Sequence, residues 1–154
     1  MSRHEKIRLG DLLMQQRLIS QDQLAEALEI QRRTGRKLGR VMAENGFASD
    51  EEVSAAVAYQ LQIPLVDLEK VHPEPDLARL LPEQLARRFR AVVVENRQDA
   101  FLVAMADPTD LFAYQEIRDD LGWNVKVAVA SERGLGHYID RTYRHAGEAP
   151  PPVH

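Results

Sequence analysis

The chain has 154 residues, 44% of them hydrophobic, enough for one ordinary domain or two small ones sharing an interface. Its 24 acidic residues outnumber 20 basic ones, and the formal charge of -4 argues against broad nonspecific binding to nucleic acid or to an anionic membrane. There is no cysteine, which excludes disulfides and thiolate metal sites, and there is neither a signal peptide nor an apolar run of spanning length, so the expectation is a cytoplasmic protein without direct membrane insertion.

Residues 1–6 are polar and expected to be loose. A 24-residue pattern then occurs twice, at 8–31 and 37–60, across a five-residue spacer. At a fixed offset of 29, Arg8-Leu9-Gly10 falls on Lys37-Leu38-Gly39, Leu13 on Met42, Leu18 on Phe47, Ser20 on Ser49, Leu24 on Val53, Leu28 on Val57 and Gln31 on Gln60. Ser20 with Gln23, and Ser49 with Glu52, fit the capping box, so a helix is expected to start at each serine. The first helix would present Leu24, Leu28 and Gln31 along one stripe, and the second Val53, Val57 and Gln60. Residues 9–16 and 38–45 read as short helices ahead of them, the latter stopped by Gly46. Each copy is then a helical hairpin.

Ile63-Pro64 ends the helical character, because the residue before proline is pushed out of the helical region. Residues 65–68 suit an extended linker and 72–75 an irregular connection. After a short helix over 82–90, strands at 91–95 and 100–106 form a hairpin through a polar turn. A helix over 111–121 follows, with Thr109 or Asp110 near its start and Gly122 beyond its end. Residues 123–130 alternate as a half-buried strand. Ser131 can cap a last helix to about residue 143, weakened by Gly134 and Gly136 at roughly 1 kcal/mol each. The expected fold class is α+β, a helical tandem-repeat subdomain followed by a small α/β sandwich. The expected division is 1–63 for the repeat, 64–81 for a linker, 82–144 for the α/β part and 145–154 for a disordered tail.

No phosphate-loop pattern G-x-x-x-x-G-K-[ST] occurs, and the segment from Gly35 to Gly39 lacks its spacing. The five histidines are scattered, none three or four residues from another, so neither a metal nor another cofactor is expected. With 29% charged residues, carboxylate pairs arise by chance, and a binding domain is expected in place of an enzyme. The repeat offers two equivalent surfaces. Arg8 and Lys37 can neutralise phosphate, and Gly10 and Gly39 let a ligand approach the main chain near a helix start. Leucine faces can pack on flat bases, and glutamine donates and accepts at once. A ligand with two purines and two phosphates would suit such a duplication. Each feature also has a plain reading: the stripes as core, the glycines as close helix packing, the glutamines as bridges between helices. The cluster of Arg32, Arg33, Arg36, Lys37 and Arg40 is either a phosphate-attracting patch or a solvated face.

The tandem motifs, with Leu18-Ile19-Ser20 in the first and Lys37-Leu38-Gly39 through Gln60 as the second, resemble the MshEN-type domain. That domain stands at the N-terminus of type II secretion and type IV pilus assembly ATPases. The resemblance continues through residues 63–68 and 104–110 to about Tyr143. It implies that both motifs jointly bind one cyclic di-GMP. The residues it implies are Arg8, Leu9, Gly10, Leu13, Leu18, Leu24, Leu28 and Gln31 in the first motif. In the second they are Lys37, Leu38, Gly39, Arg40, Met42, Val53, Val57 and Gln60, with Asp107 approaching from the second part. It also implies partners in the secretion and pilus machinery. The chain departs from the family's pattern at Arg17, where glycine is usual, at Lys37 for arginine, and at Met42, Val53 and Val57 for leucines. The alternative reading is a docking domain of such a motor that does not bind the nucleotide. A helix-turn-helix nucleic-acid binder is opposed by the acidic total and the lack of a basic recognition helix.

Overall fold

The computed structural model describes residues 9–147, with the side chains of the last helix through Tyr143. Arg8, the expected loose N-terminus, and residues 148–154 of the expected tail lie outside the described residues.

Four helices form the repeat: α1 (Leu9–Gln15), α2 (Gln21–Thr34), α3 (Leu38–Glu44) and α4 (Asp50–Leu61). Both capping boxes are closed. Ser20 Oγ accepts the Gln23 N–H at 3.1 Å and Gln23 Oε1 accepts the Ser20 N–H at 2.9 Å, with 3.0 and 2.8 Å for Ser49 and Glu52. The copies are interleaved, since α1 lies against α4 and α2 against α3. Leu12, Leu13, Val41, Met42 and Val57 meet there with no exposed surface. Burial of this kind stabilises by about 1.5–3 kcal/mol per large side chain. The buried face of α2 carries Leu24 and Ala27, whereas Leu28, expected on that stripe, is 46% exposed. Its counterpart Val57 is wholly buried, because α4 is also packed against the sheet.

The segment expected as an extended linker is tied into that sheet. The Val66 N–H donates to the Val129 carbonyl and the Val129 N–H to the Pro64 carbonyl, both at 2.8 Å. A 3-10 turn (Leu68–Lys70) begins in the last residue of the expected extended linker, residues 71–74 are irregular, and a short α5 (Pro75–Ala78) starts at the end of the connection expected over 72–75. Leu68, Ala78 and Leu81 are buried in the second core. Helix α6 (Glu83–Phe89) has Pro82 at its N-cap.

Strand β1 (Ala91–Asn96) pairs antiparallel with β2 (Phe101–Met105), with an irregularity between Val93 and Glu95. Helix α7 (Leu111–Leu121) crosses over to β3 (Val125–Val129), which runs parallel to β2, giving the order β1-β2-β3. Asp110 caps α7, accepting the Ala113 N–H at 3.0 Å. Helix α8 (Glu132–Gly147) runs past the expected end near residue 143, into the start of the expected tail. Gly134 lets its first turn approach the 3-10 turn: a Cβ there would lie 3.0 Å from Ser131 Oγ and 3.6 Å from Leu68 Cβ. Tyr143 donates toward the carbonyls of Ala78 and Leu81, and burial pushes its phenol up to about 12. The fold is α+β, eight α-helices and three strands among the described residues. None of those helices is long and apolar enough to cross a membrane.

The repeat extends to backbone strain. Arg17 has φ 60° and its counterpart Gly46 has φ 73°. Leu18 and Phe47 then donate to the carbonyls of Leu13 and Met42 at 3.0 and 2.9 Å. Glycine adopts this left-handed turn freely, while a Cβ costs about 1–2 kcal/mol. Arg17→Gly is expected to raise the thermal midpoint by roughly 2–4 °C, and Gly46→Ala to lower it. An Arg17→Gly protein that melts no higher than wild type would remove strain from this account.

Candidate functional site

A cavity of about 200 Å³ opens where the repeat meets the sheet. The first copy supplies Leu9 and Gln31, and the second Lys37, Leu38, Gly39, Asp50, Val53 and Ser54. Ala106, Asp107 and Asp110 come from the loop after β2, and Glu132 from the start of α8. An adjoining groove of about 430 Å³ continues along α3 and α8, sharing Gly39, Asp50 and Glu132 and adding Arg40, Arg90 and Arg133 among its walls.

Seven of the expected site residues therefore share one cavity: Leu9, Gln31, Lys37, Leu38, Gly39, Val53 and Asp107. Arg40 borders the groove and pairs with Glu44 at 3.0 Å. Leu13, Met42 and Val57 have no exposed surface, and Leu24 is buried. These four serve as core beneath the cavity. Leu18 is half-buried against that core and Leu28 is exposed outside the cavity. Gln60 lies apart as well, where its Oε1 accepts from Gln16 Nε2 at 3.3 Å. Arg8 lies outside the described residues.

The two glycines differ. A Cβ on Gly10 would fall 2.5 Å from Leu24 Cδ1 and 3.4 Å from Leu38 Cδ2, so this glycine is a helix-packing device. A Cβ on Gly39 would have its nearest neighbour, Val53 Cγ1, at 3.9 Å. The smaller valine leaves open space where the first copy is filled by leucine.

Asp50, Ser54, Ala106, Asp110 and Glu132 were not expected at the site, Asp110 being expected only near the start of α7. Asp50 was legible only as an acidic residue in a first helical turn. In the structure it crosses to the other half: its Oδ1 accepts the Glu132 N–H at 3.0 Å and its Oδ2 the Arg133 N–H at 2.9 Å. Ser131 Oγ accepts the next N–H, of Gly134, at 3.0 Å, completing the start of α8. Asp107 Oδ1 accepts from the N–H and the hydroxyl of Thr109, leaving Oδ2 outside those bonds. Glu132 pairs with Arg90 at 3.2 Å. Loss of water around the Glu132 carboxyl pushes its pKa up, against the pull of Arg90 and then Lys37. The cavity thus combines apolar walls, one lysine, a main chain open at Gly39 and carboxylates already supplied with donors. Among the described residues no cluster of three or more His, Asp or Glu is placed to hold a metal ion.

The MshEN domain family profile matches residues 61–149. The matched region contains the sheet and its helices, and the two 24-residue motifs lie ahead of it. The type IV pilus assembly ATPase PilB of Myxococcus xanthus is 31% identical over 140 residues, 91% of this chain and 25% of that protein. The chain thus spans about a quarter of that relative's length. A solved structure of MshE with cdg, cyclic di-GMP, is 39% identical and superposes with a TM-score of 0.70 over 89% of this chain and 99% of that one. The N-terminal domain of XpsE, at 21% identity, gives a TM-score of 0.72 over 92% of this chain and 98% of that one, a likeness of fold.

Removal of the Asp50 carboxylate tests the junction. Asp50→Ala is expected to cost about 1 kcal/mol, the usual loss for a helix cap. In hydrogen exchange the amides of Glu132 and Arg133 should lose protection ahead of Gly134, which keeps its bond to Ser131. Equal protection in mutant and wild type would show that the cap contributes nothing.

Proposed function

The chain belongs to the MshEN domain family, and from that premise we propose that it is a cytoplasmic receptor domain for cyclic di-GMP, regulating a pilus or secretion motor. The observation that carries this reading is the single cavity bringing Leu9 and Gln31 of the first motif to Lys37, Leu38, Gly39 and Val53 of the second, with Asp107 facing them from the α/β part. The solved structure of MshE with cdg, at 39% identity, supports the choice of ligand.

Each wall has a chemical task in this proposal. Lys37 meets a phosphate as a point charge, where an arginine would offer a fork. Leu9, Leu38 and Val53 cover flat faces of base and ribose. The open main chain at Gly39 gives close approach without a Cβ in the way. Guanine presents N–H donors on its edge, and the Asp107 Oδ2 and the Gln31 amide are acceptors suited to them. The cavity alone is smaller than the roughly 300–1,000 Å³ usual for small-molecule sites, so the dinucleotide would extend into the adjoining groove. A ligand held between the repeat, proposed as 1–63, and the α/β part, proposed as 82–144, stabilises one arrangement of the two, which is the regulatory output. The docking reading draws on the exposed Leu111 and Phe112 at the start of α7.

Calorimetric titration with cyclic di-GMP, with GTP and cyclic di-AMP as controls, tests the receptor reading. Saturable binding near one ligand per chain is expected, weakened about tenfold or more, ~1.4 kcal/mol, by Lys37→Ala or Asp107→Ala. Gly39→Ala should weaken binding while melting no lower than wild type, since its Cβ has room. Absence of heat and of thermal stabilisation at high ligand concentration would sink this reading in favour of docking.

A further inference from the structure

Glu132 stands on the boundary between cavity and groove, lining both, with its side chain 21% exposed. Two elements fix it there. At the end of α6, Arg90 holds its carboxylate at 3.2 Å from a left-handed residue with φ 49°. On α4, Asp50 fastens its main-chain N–H at 3.0 Å. Lys37, the residue before α3, shares the cavity wall with it, and Arg40 of α3 shares the groove wall. Along the groove His137 is paired with Glu69, Asp140 with Arg87 and Arg40 with Glu44. Glu132 is thus ion-paired with Arg90 and lines the same cavity as Lys37.

We propose that Glu132 is an internal counter-anion for Lys37 and Arg90, occupying the electrostatic place of a ligand phosphate, so that an anionic ligand binds in competition with it. The proposal rests on the reading of this junction as a cyclic di-GMP site. A phosphate brought beside Lys37 meets a carboxylate already there, and like charges sharing a cation repel. Glutamine keeps the shape and the main-chain bond to Asp50 while removing the charge. Glu132 thus lowers affinity and sets the ligand concentration at which the domain responds.

Two measurements test it. In the ligand-free chain, carbon-detected NMR titration of the Glu132 carboxyl is compared between wild type and Lys37→Met. The midpoint should move up in the variant, and an unmoved midpoint overturns the counter-anion whether or not any nucleotide binds. By calorimetry, Glu132→Gln, checked by its melting curve, should bind cyclic di-GMP about fivefold or more tightly than wild type, and Glu69→Gln should match wild type. Equal or weaker binding by a folded Glu132→Gln protein overturns the counter-anion and leaves the receptor reading standing. Binding by neither protein overturns the receptor reading, and the NMR titration still decides the charge pairing.

Discussion

The Asp50 carboxylate on the first turn of α8 is the contact on which the arrangement of the two halves depends. A helix start leaves main-chain N–H groups without partners, and buried ones must be satisfied. Ser131 supplies one acceptor locally, and the other two come from a residue 82 positions away that itself begins α4. Two helix starts are thereby held together. Nearby, Val129 completes the helical core, and the main chain of residues 64–66 bonds on both sides of it. With backbone pairing, apolar packing and a charged cap meeting along one line, the cavity has walls from both halves.

The duplication explains why this line has an opening. Gly10 and Gly39 are equivalent, yet the first is covered by Leu24 and Leu38 and the second faces Val53 across free space. The loop after β2 and the start of α8 wall the cavity that Gly39 lines, and Gly10 is not among its lining residues. An internal two-fold of sequence therefore becomes an asymmetric site. The lysine half is enclosed, and in the proposed reading a ligand there would touch both parts of the protein.

Charge within the enclosed half is balanced among the protein's own groups. Asp50, Asp107 and Asp110 each accept from backbone N–H groups, which spends their charge on local structure. Glu132 has a different partner, the Arg90 side chain, and its carboxyl is the one pushed up by loss of water. The charge of the junction is consequently set by few groups, among them Lys37 and the Arg90–Glu132 pair.

What the sequence determined by itself was whatever chemistry acts within a few residues. Ser20, Ser49 and Asp110 cap helices because their acceptors reach N–H groups two or three positions ahead, and Gly46 and Gly122 end helices because they turn left-handed. The alternation of Val125, Val127 and Val129 was enough for a strand, and the offset of 29 was enough to relate Arg17 to Gly46. Tertiary structure decided the fates of equivalent positions. Leu28 and Val57 share one place in the repeat, but only α4 has a sheet to pack against, so one is exposed and the other buried. It also decided that Asp50 would reach α8, that residues 64–66 would join β3, and that Glu132 would line the same cavity as Lys37. Those outcomes depend on how two cores meet, and no residue's local pattern encodes the surface that another part of the chain will present to it.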